Sequence, residues 1–247
     1  MNGSFLAGGA FFVLVPVLFL GFLGLMIFVG IKGYQAAQRR RAAIDAMVLA
    51  NGWRRVPEDP QRVELFVSSP FQTGDNRRAR DIVWGTVNGR PFETFAYSYE
   101  THTTDSKGHR STTTHHFQVT WVPLPGPMAT MRLTSDNALL RALSHMGMRD
   151  LDVESHEFNQ RWKVWCDDER GGHALLTPRM IERLMQSDLS GRAVVFEGAL
   201  LFSYAPGISD LGELPMVVRA LNEIADLVPR FLFESDDTAP PGDRPNP

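Results

Sequence analysis

The chain has 247 residues, room for one well-cored domain of about 180 residues besides smaller segments. Its 43% hydrophobic and 21% charged content exclude a wholly disordered chain. The net charge of -3 argues against nucleic acid as the main partner, and the single cysteine, Cys166, excludes an intrachain disulfide and suits a reducing compartment.

From Leu6 to Ile31 no residue is charged, and Phe11 to Leu20 is apolar throughout except at Pro16. A helix crosses a hydrocarbon core of ~30 Å with about 20 apolar residues, so this stretch is expected to span a bilayer once. It is too long for a signal-peptide core, and no basic residue precedes it. Pro16 is tolerated in lipid as a kink. No two of Gly21, Gly24, Gly30 and Gly33 are four apart, so no GxxxG dimer motif is present. Lys32, Arg39, Arg40 and Arg41 crowd the C-terminal flank, which by the positive-inside rule puts the N-terminus outside a plasma membrane and the rest in the cytoplasm.

Alanines and an Ile44, Met47, Val48 stripe continue the helix to Asn51, with Gly52 as its stop. Pro57 and Pro60 mark a loop, with a helical turn at Gln61–Phe66. Asp81–Val87 and Pro91–Tyr99 flank Asn88-Gly89, a hairpin signal. Phe95, Tyr97 and Tyr99 alternate with Thr94, Ala96 and Ser98, which predicts one buried face. A Thr/Ser/His-rich loop, Thr101–His116, leads to a strand His116–Val122, halted at Pro123-Leu-Pro125-Gly-Pro127. Thr130–Thr134 reads as a fourth strand and Asn137–His145 as a short helix. Trp162–Cys166 is a further strand, and Asp167–Gly172 a polar turn. Thr177-Pro178 starts a helix with Ile181, Leu184 and Met185 on one side. Ala193–Phe196 and Ala199–Tyr204 make a second hairpin about Glu197-Gly198. The last helix, Leu211–Val228, buries Leu211, Leu214, Val218, Leu221, Ala225 and Val228, with an Asp210/Glu213 capping box and Pro229 as its stop. Ser235–Pro247 has no apolar periodicity and is expected to be disordered.

The expected class is α+β: a single N-terminal transmembrane helix, then a soluble domain with an antiparallel β-meander, a second β-hairpin and packing helices. The divisions are an anchor (1–33), a juxtamembrane helix (34–52), the α+β domain (53–233) and a tail (234–247).

The stretch Glu154-Ser155-His156-Glu157-Phe158-Asn159-Gln160-Arg161-Trp162-Lys163-Val164, then Asp167-Asp168, Ala174 and Leu175 to Leu184, resembles the signature of an uncharacterised family of bacterial membrane-anchored domains. There an E-x-x-x-F-N-x-x-[FW]-x-V strand entry precedes an acidic turn and an L-T-P helix start. The resemblance covers about half the chain, from Gly85 to Tyr204. It implies the same architecture, often with one or two membrane helices, and supplies no catalytic residue.

No motif for a phosphate loop, dinucleotide fold, nucleophile elbow or zinc protease occurs, and no cofactor is expected. His102, His109, His115 and His116 match no zinc spacing, so no metal is expected there. The carboxylates Asp150, Asp152, Glu154, Glu157 and Asp167-Asp168-Glu169 are a pool from which an acid pair could come, but they read as a polar turn. Cys166 has His156 and His173 near it in sequence, but it reads as a small core residue. Aromatic Phe95, Tyr97, Tyr99 and Trp121 read as a packed sheet face rather than a base-stacking platform. Membrane-proximal basic residues are Lys32, Arg39, Arg40, Arg41, Arg54 and Arg55, with Arg77, Arg78 and Arg80 as a wider collar toward anionic lipid headgroups. The expected function is a membrane-tethered cytoplasmic interaction or scaffolding module with a protein partner. The alternative is an enzyme using the acidic turn or the histidine loop.

Overall fold

The computed structural model describes residues 5–135, 151, 153–209 and 211–233, with side chains from Phe19 onward. The predicted helix Asn137–His145, the cap residue Asp210 and the tail Ser235–Pro247 lie outside these residues. The chain divides into two compact units, one ending at Met47 and one starting at Val48.

The first unit is a helix. Helix α1 runs Phe5–Asn51, 47 residues, which at 1.5 Å per residue is about 70 Å, more than twice a hydrocarbon core. Phe19, Leu20, Phe22, Leu23, Leu25, Met26, Ile27 and Phe28 are all 45–64% exposed. Apolar side chains thus face outward around the whole circumference, an arrangement that water penalises and lipid does not. This helix is long and apolar enough to cross a membrane. Its last turn ends within the second unit, where Gly52 takes φ +66°. There Trp53 N–H donates to Val48 C=O at 2.9 Å and Gly52 N–H to Leu49 C=O at 3.3 Å, the paired bonds of a Schellman stop.

The second unit is α+β, built on one antiparallel sheet. Strands β1 (Arg54–Glu58), β2 (Asp75–Val87), β3 (Arg90–Thr104), β4 (Arg110–Thr134) and β5 (Lys163–Cys166) follow one another across it, and β6 (Ala193–Pro206) pairs with β4. Strand β1 occupies residues expected in a loop. A 3-10 turn, Pro60–Glu64, takes the place of the helical turn expected at Gln61–Phe66. The β2–β3 connection is the predicted Asn88-Gly89 turn, with φ +54° and +78°; both residues are in the left-handed region that the strand twist requires.

Strand β6 is not straight. Arg192 Nε donates to Ser203 Oγ at 3.0 Å although the two residues are 11 apart; along an extended strand they would stand about 36 Å from each other. The chain therefore folds back at Glu197-Gly198, where Gly198 has φ +55°, and the expected second hairpin is present. Strand β4 follows it round. Rungs Phe117↔Pro206 to Pro123↔Leu200 lie on one arm, Met128↔Gly198 at the tip, and Met131↔Phe196 to Thr134↔Ala193 on the other. The Pro123–Pro127 segment does not end the strand; it turns the corner. Between the last rung with β3, at Trp121, and the first with β5, at Met131, the outer edge of β4 has no partner strand, so the missing N–H groups of three prolines leave no ladder bond unmade. Both hairpins thus share one sheet, with β6 at its centre.

The sheet is buried on both faces, not one. One face carries Ala79, Ile82, Phe95, Tyr97, Tyr99, Phe117, Val119, Val195, Phe202 and Tyr204, roofed by Phe66 and Phe71 from the β1–β2 connection. The Phe66 ring lies 3.9 Å from that of Phe202, tilted by 32°, and Phe71 lies 4.8 Å from Tyr97. Burying each phenylalanine contributes about 1.5–3 kcal/mol. Glu197 at the β6 turn ties this roof down by accepting from Val67 N–H at 2.7 Å and Ser68 N–H at 2.9 Å. On the opposite face, Thr94 and Ala96 were expected outward, yet both are buried. Thr94, Thr120 and Ser203 form one row of neighbouring rungs. Thr94 and Thr120 hydroxyls lie 3.0 Å apart, Gln118 donates to Thr94 at 2.9 Å, and Arg192 ends the row on Ser203. Polar side chains are covered here because they satisfy one another.

Helices complete the unit: α2 (His156–Arg161), α3 (Glu169–Leu175), α4 (Pro178–Leu184) and α5 (Leu214–Leu227). The acidic stretch expected as a turn is the start of α3, with Asp168 accepting from Arg170 and Gly171 N–H at 3.0 Å. Helix α4 begins at Thr177-Pro178 as predicted but buries Met180, Arg183 and Leu184, while Ile181 and Met185 are half-buried. Helix α5 packs Leu214, Val217, Val218, Ala220, Leu221 and Ile224 inward and stops at Val228 before Pro229. It starts three residues later than expected because Pro215 belongs to a first turn; Glu213 precedes it without a side-chain cap bond.

Candidate functional site

A cleft of about 600 Å³ opens between the segment entering α2 and the start of α4. Its lining is Val153, Glu154, Ser155, His173, Leu176, Pro178, Ile181 and Glu182. Both walls come from residues 153–182, and the residue types there account for the cleft's shape. Asn159 brackets Val153, accepting from its N–H at 3.2 Å and donating to its C=O at 2.7 Å. Ser155 Oγ accepts from Phe158 N–H at 3.3 Å to cap α2, and Phe158 is fully buried. On the other wall Thr177 Oγ1 caps α4 through Met180 N–H at 3.3 Å. The two walls are joined at the far end of α4. Trp162 Nε1 donates to Leu184 C=O at 3.1 Å, and Arg161 donates to Gln186 C=O at 2.7 Å and to Met185 C=O. Arg183, only 6% exposed in its side chain, anchors α4 to α5 through Glu223 at 2.7 Å and to the 3-10 turn Ser187–Leu189 through Asp188 at 2.8 Å.

Once those structural roles are assigned, Glu154, His173 and Glu182 remain. All three are exposed around the cleft, over a floor of Val153, Leu176 and Ile181 that is half-buried or buried. Sequence reasoning reached Glu154 only as one of a pool of carboxylates and His173 only as a neighbour of Cys166. Glu182 was read only as part of the helix start. Their spacing, 19 and 9 residues apart, matches no motif; the N-caps at Ser155 and Thr177 are the signal that two chain turns meet here.

The other candidate groups are dispersed. Cys166 is half-buried, and burial, then the carboxylates of Glu169, Asp168 and Asp167, push its thiol pKa up, which keeps it protonated and unreactive. A side chain at Gly172 would meet Cys166 Sγ at 2.9 Å, so α3 packs directly on it. The Thr101–His116 stretch is a two-stranded ribbon rather than a loop, with rungs from Thr101↔Thr113 to Thr104↔Arg110. Three of its histidines take a local partner. His102 lies 2.9 Å from Thr112 Oγ1 and 3.8 Å from Asp75, His109 is 3.0 Å from Asp105, and His115 is 2.9 Å from Thr101 Oγ1 and stacked on Tyr99. Asp105 closes the turn by accepting from the His109 and Lys107 N–H groups, and these bonds, His109's first, hold its carboxyl below the usual range. Among the described residues no three His, Cys, Asp or Glu side chains converge as a metal site.

Of the basic residues, Lys32 lies 5.6 Å over the Phe28 ring, and Arg39 and Arg41 are exposed on α1, with Arg40 half-buried. In the second unit Arg54 is exposed on β1, while Arg55 is paired with Asp81. Arg77 pairs with Glu64 at 3.1 Å, Arg80 approaches Glu58 at 3.8 Å, and Arg78 donates to Asn76 at 3.1 Å. Most of the collar's charge in this unit is therefore matched locally.

No family model and no curated protein matches the sequence. Among solved structures, the crystal structure of the mycobacterial trehalose monomycolate transport factor A, TtfA, superposes with a TM-score of 0.55 at 14% identity. The match covers 79% of this chain and 94% of that one. At that identity the shared property is the fold.

Proposed function

We propose that this protein is a membrane-tethered interaction or scaffolding module with no catalytic role of its own. The observation that carries it is α1, whose apolar side chains from Phe19 to Ile31 are exposed and which leads without a break to the start of the α+β unit. Lys32, Arg39, Arg40 and Arg41 follow the apolar stretch and no charge precedes it within Leu6–Ile31, which supports an N-terminus outside the plasma membrane and a cytoplasmic domain. The same four side chains meet anionic headgroups, each worth about 1 kcal/mol near the surface. A fold shared with a protein described as a transport factor supports an accessory role in which the domain holds a protein partner at the bilayer.

Two fusions after Pro247 and an affinity capture test this reading. A fluorescent reporter at that end is expected to be bright, and an alkaline phosphatase fusion inactive; an active phosphatase overturns the orientation. Full-length tagged protein taken from its native membranes is expected to retain a stoichiometric partner that a version consisting of α1 alone loses. Retention by α1 alone would remove the interaction role from the α+β unit.

A further inference from the structure

Resting on the interaction-module reading, we infer that the cleft between Val153–Ser155 and Leu176–Glu182 receives a basic side chain flanked by aliphatic ones, on a segment of the protein partner. Glu154 and Glu182 belong to different walls of the same cleft, and neither carboxylate makes a hydrogen bond or ion pair with the described residues. Both present negative charge to this space, and a cation entering it gains two partners. The floor decides what carries the cation. Val153, Leu176, Pro178 and Ile181 supply apolar surface in the middle of the cleft, which rewards a long aliphatic stem ending in charge, as in Lys or Arg, and aliphatic neighbours beside it.

The alternatives fit less well. A metal ion lacks a third converging ligand among the described residues. An anion would face both glutamates. A small free amine would leave the floor wet, and the rim residues Glu154, His173, Pro178 and Glu182 are all exposed, whereas small-ligand sites enclose most of their ligand. About 600 Å³ holds two or three side chains from a passing segment. Arg161, Trp162 and Arg183 fix the helix that forms one wall, so the cleft is preformed and little ordering opposes binding.

The test uses the full chain in nanodiscs of zwitterionic lipid, which removes lipid charge as a competitor. The probe is a fluorescent peptide alternating leucine with lysine, read by anisotropy. Binding is expected, with affinity falling about tenfold, equivalent to about 1.4 kcal/mol, in Glu154→Gln/Glu182→Gln. Ile181→Ser should weaken it several-fold at unchanged charge, and the neighbouring Glu157→Gln should leave it unchanged. An unchanged melting temperature certifies the fold of each variant. Equal affinity in the double variant overturns the inference, as does equal loss in Glu157→Gln, binding of the glutamate-for-lysine peptide, or full competition by butylamine at matched charge. If the native partner is still captured by the double variant, this use of the cleft fails while the interaction-module reading stands. If no partner depends on the α+β unit, that reading fails first.

Discussion

Arg132 is 3% exposed on the second arm of β4, and its Nε and one terminal nitrogen have no hydrogen-bond partner among the described residues. A guanidinium does not shed its charge at neutral pH, so burying it unpaired costs stability. Arg132→Met keeps the stem and removes the charge. It is expected to leave the unfolding free energy unchanged or raise it by about 1 kcal/mol, measured by urea titration. A loss above about 2 kcal/mol would show that the guanidinium has a partner. The tyrosines on the aromatic face are the opposite case. Burial pushes Tyr204 up to about 12 and raises Tyr97 and Tyr99 as well. A raised folded pKa means the folded state keeps its proton where the unfolded state, near 10, has lost it. This contribution is whole below pH ~10 and is lost as pH rises toward about 12. Arg192 works the other way, since burial lowers it to about 10 and stability gains as it deprotonates. The tyrosines outnumber it, so alkaline unfolding is expected to begin near pH 10. Tyr97→Phe/Tyr204→Phe should move its midpoint upward, by circular dichroism against pH; an unmoved midpoint would rule these hydroxyls out as its cause.

At the scale of elements, the ribbon formed by the ends of β3 and β4 stands apart. Beyond the Asp75↔Glu100 rung β2 no longer flanks it, and β6 ends at Pro206 opposite Phe117. Its side chains from His102 to Thr114 are exposed. Replacing His102, His109 and His116 with Asn is expected to change stability by no more than ~0.5 kcal/mol in thermal melts. His115→Asn should cost more, about 1 kcal/mol, because it also loses the stack on Tyr99. One equivalent of metal co-purifying with the protein and lost in the triple variant would overturn this account.

Elements were legible where local chemistry decides them. Asn88-Gly89, Thr177-Pro178, Gly52 and Pro229 each act through backbone geometry within a few residues, and each lies where expected. The ribbon was not legible because Thr, Ser and His alternate with nothing apolar, so no period marks a strand. Helices α2 and α3 have 6 and 7 residues, too few to show helical periodicity. The covered Thr94 face was hidden because coverage by α5 is a long-range fact, and polar residues in a strand ordinarily signal solvent. The cleft was hidden for the same reason. Its capping residues could be read one by one, but that two capped turns close on one space depends on Arg161 and Trp162 reaching the end of α4.

On the scale of the molecule, β6 is the last strand among the described residues and the innermost in the sheet. Neither arm of β4 has its inner neighbour until residues 193–206 arrive, and the pairing Phe117↔Pro206 spans about half of the domain. Such long-range closure makes folding slow relative to helical proteins of the same length. A chain ending at Gly191 would present two separate half-sheets, each with a bare inner edge flanked by apolar residues such as Val119, Val122, Met131 and Leu133. With the membrane helix removed by starting at Arg54, that fragment is expected to aggregate, whereas residues 54–233 keep the described strands and the helices that follow α1 and should unfold cooperatively in urea. A soluble, cooperatively folding fragment ending at Gly191 would contradict the arrangement.

The central position of β6 also bears on synthesis. A ribosome makes this protein from the membrane helix outward, at about 5–20 residues per second. When the apolar helix is already entering the bilayer, the strands that follow it are still without the hairpin that joins them. For some seconds the nascent chain is moored to the membrane with two open sheet edges, the state in which strand templates recruit neighbours. The β3–β4 ribbon, rich in threonine and histidine and poor in apolar residues, extends one of these edges beyond the sheet. Its polarity reads as protection for a chain that must wait, tethered beside other copies of itself, for its own centre to be translated.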